Sequence, residues 1–183
     1  MRRGGWLQTY RGIAFYPLDP RPEDVDPLDI VHTLSMMPRY GGHTDKPYSV
    51  AQHSVYVSRR AGELTAGDLN TRRWGLLHDA TEAYMVDLPT PIKRCMPEYV
   101  DAEERLMAVI AQRFGLTGHM PAAVKVADKE MLASEADVFF PYRPSPWAIT
   151  AKPVPGYLPT KCLPFDEAWD LFFGEMMDLG LSE

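Results

Sequence analysis

The sequence predicts an all-α fold, a bundle of about six helices with a short N-terminal β-hairpin or extended arm. Two observations predict it. Apolar residues recur at helical spacing through most of the chain, and caps and prolines stand where those stretches start and stop. A single aromatic and β-branched run, 6–16, precedes them, with Arg11-Gly12 near its middle.

The elements follow in order. Residues 17–27 hold four prolines and four acidic residues and read as a loop. Asp26-Pro27 fits an N-cap with proline in the first helical position, opening a helix over 28–36 that Pro38 stops. Arg39-Tyr40-Gly41-Gly42-His43 follows as a glycine-loosened turn. Ser49 with Gln52 makes a capping box, and Val50, His53, Val57 and Ala61 share one helical face up to Gly62. A central helix is expected from 68–70 to about 86, closed by Pro89 and Pro91. The next runs 97–114, with Tyr99, Ala102, Leu106, Val109, Ile110 and Phe114 as its apolar stripe and Gly115 as its C-cap. A further helix covers 121–140, with Val124, Ala127, Met131 and Ala136 inward and Asp128 beside them. Met36, Met37, Met107 and Met131 read as core filler. Residues 141–164 contain seven prolines and read as a long ordered loop or lid. Asp166 caps a final helix over 167–179. The whole is one domain, 1–183: an arm (1–27), a helical core (28–140), the proline-rich loop (141–164) and a C-terminal helix (165–183).

Composition narrows the function classes. The 183 residues are long enough to bury a core, and 45% hydrophobic with 24% charged is a globular balance. A net charge of −6 disfavours broad binding to nucleic acid, though a local basic patch still suits a small anion. Cys95 and Cys162 form no CxxC and read as ordinary thiols of a reducing compartment. No signal peptide follows Arg2-Arg3, and no run approaches the ~20 apolar residues of a membrane span. The chain reads as a soluble intracellular protein.

The densest chemistry lies in residues 74–93, WGLLHDATEAYMVDLPTPIK. On a helix His78 and Glu82 share a face at i and i+4, with Asp79 and Asp87 nearby. The plain alternative is an amphipathic helix with a satisfied core histidine and solvated acids. Four ionisable groups behind an apolar Leu76-Leu77 run favour a site, since such groups are costly to bury unpaired and a metal ion satisfies several at once. Adding the inward His53 and Asp128 gives two imidazoles and two carboxylates: His53, His78, Asp79 and Asp128. That set suits Mn, Fe, Co, Ni or Zn better than Mg or Ca. Arg39 offers a donor fork matched to phosphate oxygens, on a flexible turn.

A lone His, an adjacent His-Asp and a later Asp on separate helices resemble the H…HD…D signature of the HD-domain metal-dependent phosphohydrolases. LLHDATEAYMVDLPTPIK looks like the HDxxE…DLPTPxK segment of the bacterial HD-domain 5′-deoxynucleotidases. Phage HD-domain dATP triphosphohydrolases look similar too, and they share a FYPLDP-like arm and a YSVAQHS-like helix. The resemblance spans about 15–136. It implies that His53, His78, Asp79 and Asp128 ligate the metal, and that Glu82 handles the attacking water or its proton. It implies that Asp87 positions water or substrate and that Arg39 lies beside the substrate phosphate. Tyr40 replaces the tryptophan that follows this arginine in the deoxynucleotidases, a departure at the step that recognises base or sugar. His43 and Lys93 are assigned to phosphate contact on their chemistry alone.

The expectation is therefore a cytoplasmic, bacterial or phage-encoded enzyme with a divalent transition metal (Co, Mn, Zn, Fe or Ni). Its substrate is a small nucleotide, leaning to a deoxynucleoside triphosphate such as dATP on the arm and the RYGGH loop. The alternative is a 5′-deoxynucleotidase acting on monophosphates. A second alternative is an HD module that senses a nucleotide without cutting it. The resemblance also implies a homo-oligomer.

Overall fold

In the computed structural model the residues described are 2–140, 142, 145, 147, 149–155, 157 and 161–182. A two-stranded antiparallel hairpin opens the chain. β1 (Leu7–Gln8) pairs with β2 (Ala14–Phe15) in the register Leu7↔Phe15 and Gln8↔Ala14. Gly12 turns the tip at φ 81°. Asp29 then fastens the tip to the helical body: its Oδ1 accepts from Arg11 N at 2.7 Å.

The rest of the described chain is helical or loop. Asp26 caps α1 (Pro27–Met36) by accepting from Leu28 N. Ser49 caps α2 (Val50–Leu64) by accepting from Gln52 N. Then come α3 (Leu69–Leu77), α4 (Glu82–Met85), α5 (Thr90–Lys93), α6 (Pro97–Arg113), α7 (Ala122–Phe139) and α8 (Phe165–Asp178). α2 is the axis of the bundle, packed against α1, α3, α7 and α8. One core cluster joins Ile30 and Leu34 of α1, Val55 of α2, Leu106 and Ile110 of α6 and Phe172 of α8. A second joins Val57 of α2, Trp74 of α3 and Val124 and Met131 of α7.

Several expectations need correction. The helix expected to run from 68–70 to 86 stops at Leu77 and resumes at Glu82. Between them the backbone tightens into i→i+3 bonds, Ala80 N to Leu77 O and Glu82 N to Asp79 O, both at 3.0 Å. No proline or glycine marks the break; His78 Nδ1 instead donates to Gly75 O at 2.8 Å. Pro89 and Pro91 do not only close a helix: Pro91 sits inside the first turn of α5, where a missing N–H costs nothing. α8 is capped at Pro164, and Asp166 lies in its first turn. Met36 is 61% exposed, so it is not core filler. Part of the expected lid over 141–164 lies outside the described residues; its described residues carry no helix or strand.

The two helices that lead to the histidines meet backbone to backbone. A Cβ built on Gly75 of α3 would stand 2.8 Å from Ser58 Cα of α2. Backbone cannot yield as a side-chain tip can, so Gly75→Ala is expected to cost about 1–3 kcal/mol. It should also move His78 relative to His53 and weaken metal binding. Thermal unfolding and Mn titration of the variant check both effects; unchanged values in both would remove this contact as a determinant of the site.

Candidate metal centre

His53 lies on the second turn of α2, fully buried, and His78 caps the end of α3. Their rings face each other with centroids 5.3 Å apart. The tautomer of each ring is set from behind. His78 Nδ1 donates to Gly75 O at 2.8 Å, and His53 Nδ1 donates to Glu135 Oε1 at 2.6 Å. Both Nε2 atoms therefore present lone pairs to the centre of the site. Both are buried without a hydrogen-bond partner.

Carboxylates meet these lone pairs. Asp128 Oδ1 on α7 lies 3.3 Å from His53 Nε2 and 4.0 Å from His78 Nε2. Asp79 Oδ2 lies 3.2 Å from His78 Nε2 and 3.8 Å from His53 Nε2. Lone pairs facing carboxylate oxygens repel unless a cation stands between them. His53, His78 and Asp128 each offer one ligand atom, all within 4.8 Å of one another, so a single metal ion fits. Asp79 lies beside this group and is shared with Arg39, whose Nη1 donates to its Oδ2 at 3.3 Å.

In the metal-free protein a proton is the competing cation. Burial and the Arg39 charge both push His53 down. The carboxylates of Glu135 and Asp128 on either side of the ring outweigh them and hold it up at about 9. A metal ion must displace that proton, so affinity for Mn is expected to rise between about pH 6.5 and 9. Calorimetric titrations across that window check it; affinity flat with pH would mean that His53 is not a ligand.

The acids beyond the ligands differ in state. Burial would raise Asp79, but His78, His53 and Arg39 hold it well below the ordinary carboxylate range. Burial, with Asp79 and Asp87 beside it, pushes Glu82 up to about 10, so it keeps its proton at neutral pH. Burial also raises Asp87.

The other candidates are placed unevenly. Arg39 is largely buried and split between Asp79 and Glu135, with its Nε 3.3 Å from Glu135 Oε2. Tyr40 does not present its hydroxyl to a ligand: it donates to Glu135 Oε2 at 2.5 Å, while its ring packs edge-on against Phe140. Lys93 pairs with Glu103 of α6. His43 is exposed at the end of its turn, and no hydrogen bond or ion pair joins its ring to the cluster among the described residues. The sequence reading missed Glu135, which accepts from His53, Tyr40 and Tyr48 and pairs with Arg39. One signal was available: it follows Asp128 by seven residues, two turns along the same face of α7. A groove of about 980 Å³ is lined by His78, Asp79, Lys93, Glu103, Met107 and Leu116, among others. No described helix is long and apolar enough to cross a membrane.

The chain is similar to YfdR of Escherichia coli, 40% identical over 130 residues that cover 71% of this chain and 70% of that protein. It is also similar to RCAP_rcc00048 of Rhodobacter capsulatus, 38% identical over 130 residues, covering 68% of this chain and 65% of that protein. Both are described as uncharacterized proteins. The aligned region thus spans about two thirds of each relative's length. No family model matches the chain.

Proposed function

The chain belongs to the same family as YfdR, and we propose that it is a metal-dependent phosphohydrolase of the HD type that removes phosphate from deoxynucleotides. The observation that carries the reading is the pair of buried, unpartnered Nε2 atoms of His53 and His78, both aimed at carboxylates. His53, His78, Asp79 and Asp128 hold the metal, in the order of the H…HD…D signature. The ion's identity within Mn, Fe, Co, Ni and Zn is left to the donor set, which suits each of them.

The chemistry then divides among the residues. A bound divalent ion lowers the pKa of water from about 16 toward about 7 and polarises a phosphoryl oxygen. Glu82, largely buried beside Asp79, gives a proton to the leaving oxygen as general acid. Arg39 holds Asp79 and adds positive charge beside the ligands. Lys93 lines the groove and can exchange Glu103 for a phosphate oxygen.

The first substrate class is a deoxynucleoside triphosphate, on the arm and the 39–43 loop that resemble the phage enzymes. One observation favours the second, a 5′-deoxynucleotidase acting on monophosphates. Arg39 already serves Asp79 and Glu135, and Lys93 serves Glu103, so neither stands free to meet the higher charge of a triphosphate. The reading carries with it a cytoplasmic location, where deoxynucleotides are used, and the homo-oligomer that the resemblance implies.

Product analysis tests it. The protein is incubated with Mn or Co and a panel of deoxynucleoside mono-, di- and triphosphates, and the products are resolved by chromatography. Deoxynucleoside released from triphosphates supports the first substrate class, and turnover of monophosphates alone supports the second. Silence across substrates and metals overturns the enzymatic reading in favour of a nucleotide-sensing module.

A further inference from the structure

Two strained backbone positions of this chain adjoin residues of the site. Among the described residues, the non-glycine residues with positive φ are Tyr40 (59°), Ala66 (51°) and Val86 (68°). Tyr40 follows Arg39, and Val86 precedes Asp87. Val86 is the costly one. Its ψ is 147°, so it occupies a region that glycine adopts freely and a β-branched residue does not. Its side chain is 62% exposed, so packing of that side chain does not repay the strain.

One hydroxyl does hold it. Tyr99, in the first turn of α6, places its Oη 2.7 Å from Met85 O and 2.7 Å from Val86 O. These two carbonyls belong to the two peptide planes that flank Val86. The planes define its φ and ψ, so a single three-centre hydrogen bond fixes both. α6 is itself anchored in the core through Leu106 and Ile110, which gives the hydroxyl a rigid base. The next residue along the clamped backbone is Asp87, half-buried, with the charges of Arg39, Asp79, Lys93 and His53 acting on its carboxyl.

We propose that Tyr99 is a positioning residue: its hydroxyl holds Val86 in a strained backbone conformation that turns Asp87 toward the metal cluster. Without the hydroxyl the segment relaxes and Asp87 swings away. With glycine at position 86 there is no strain to hold, and the hydroxyl becomes dispensable for placing Asp87. The effect on turnover rests on the phosphohydrolase reading; the clamp itself does not.

The test is a double-mutant cycle of Y99F and V86G in the full chain, with D87N as a reference. Three readouts are taken: turnover of the deoxynucleotide that the wild type cleaves best, binding of Mn alone by calorimetry, and thermal unfolding. Y99F is expected to lower kcat about tenfold, with Mn affinity within about twofold of wild type. V86G should restore most of that kcat, and Y99F should add nothing to D87N. Stability should behave in the opposite sense. V86G should raise Tm more in the wild-type background than in Y99F, where the strain has already been released. An unchanged kcat in Y99F, or an equal loss with and without V86G, overturns the proposal. Should the wild type cleave nothing, the phosphohydrolase reading has failed, and the unfolding cycle alone judges the clamp. An equal V86G effect on Tm in both backgrounds then sinks it.

Discussion

Glu82→Gln is expected to abolish turnover and to raise thermal stability in the same molecule. Glu82 is largely buried, one Oε has no partner, and Asp79 and Asp87 lie near it. Burial first, then those two charges, push its pKa to about 10. The unfolded chain ionises this carboxyl near 4.5, so from there to about 10 the folded state holds one more proton than the unfolded state. Stability therefore falls as pH rises through that window. Glutamine has the same shape and never ionises, so the variant escapes the loss. The difference in Tm should be near zero at pH 4 and grow toward pH 8, where it should correspond to about 1–3 kcal/mol. Turnover should fall about 10²–10⁴-fold, because the proton donor to the leaving oxygen is gone. Mn binding should persist, since no ligand has been removed. Thermal scans of the metal-free proteins at a series of pH values, with rates measured alongside, decide the matter. A wild-type rate would end the assignment of Glu82 as the acid, and a pH-independent Tm difference would mean that it is ionised in the folded protein.

Local signals in the sequence carried much of this fold. Asp26 and Ser49 cap α1 and α2, and the hairpin turns at Arg11-Gly12, but the expected capping box is only half made: the Gln52 side chain bonds Lys161 O and Leu163 N instead of returning to Ser49. His53, His78 and Asp128 were legible as candidate ligands because each stands next to apolar positions of a helix, and the fold brings atoms able to bind one ion within 4.8 Å of one another. What escaped reading depends on distant partners. No breaker residue lies between Leu77 and Glu82, so the local pattern continues a helix that the tertiary structure interrupts. Glu135 looks like a solvent-facing acid until Arg39, Tyr40, Tyr48 and His53 converge on it from three other segments. Tyr40 sits at φ 59°, which turns its hydroxyl inward, and Val86 carries a strain that no propensity scale would place on valine. Lys93 reads as a free cation until Glu103, ten residues on, is seen paired with it.

Glu135→Ala is expected to be the most destabilising single change at the site. The carboxylate is 1% exposed and surrounded by donors. Oε1 accepts from His53 Nδ1 at 2.6 Å and Tyr48 Oη at 2.9 Å, while Oε2 accepts from Tyr40 Oη at 2.5 Å and faces Arg39 Nε at 3.3 Å. These four contacts fill the acceptor capacity of one carboxylate. Burial would raise its pKa, but His53, Arg39 and the hydrogen bonds pull it down to about 2. Its stabilisation is thus present above the unfolded value of 4.5 and lost as pH falls toward 2. Removing it leaves the largely buried Arg39 guanidinium, the buried Tyr48 phenol and the partly buried Tyr40 phenol short of an acceptor, and such breaks cost about 3–5 kcal/mol. Glu135→Gln separates folding from metal binding. It keeps the volume and one acceptor, so the chain should fold, while the charge that fixes and enriches His53 is gone. Mn affinity should then drop about 10–100-fold, the usual penalty for losing a carboxylate behind a ligating histidine. Calorimetry on the glutamine variant measures this directly. Wild-type affinity there would show that His53 needs no anionic support, and that Glu135 serves only to bind α7 to α2 and the 39–48 loop.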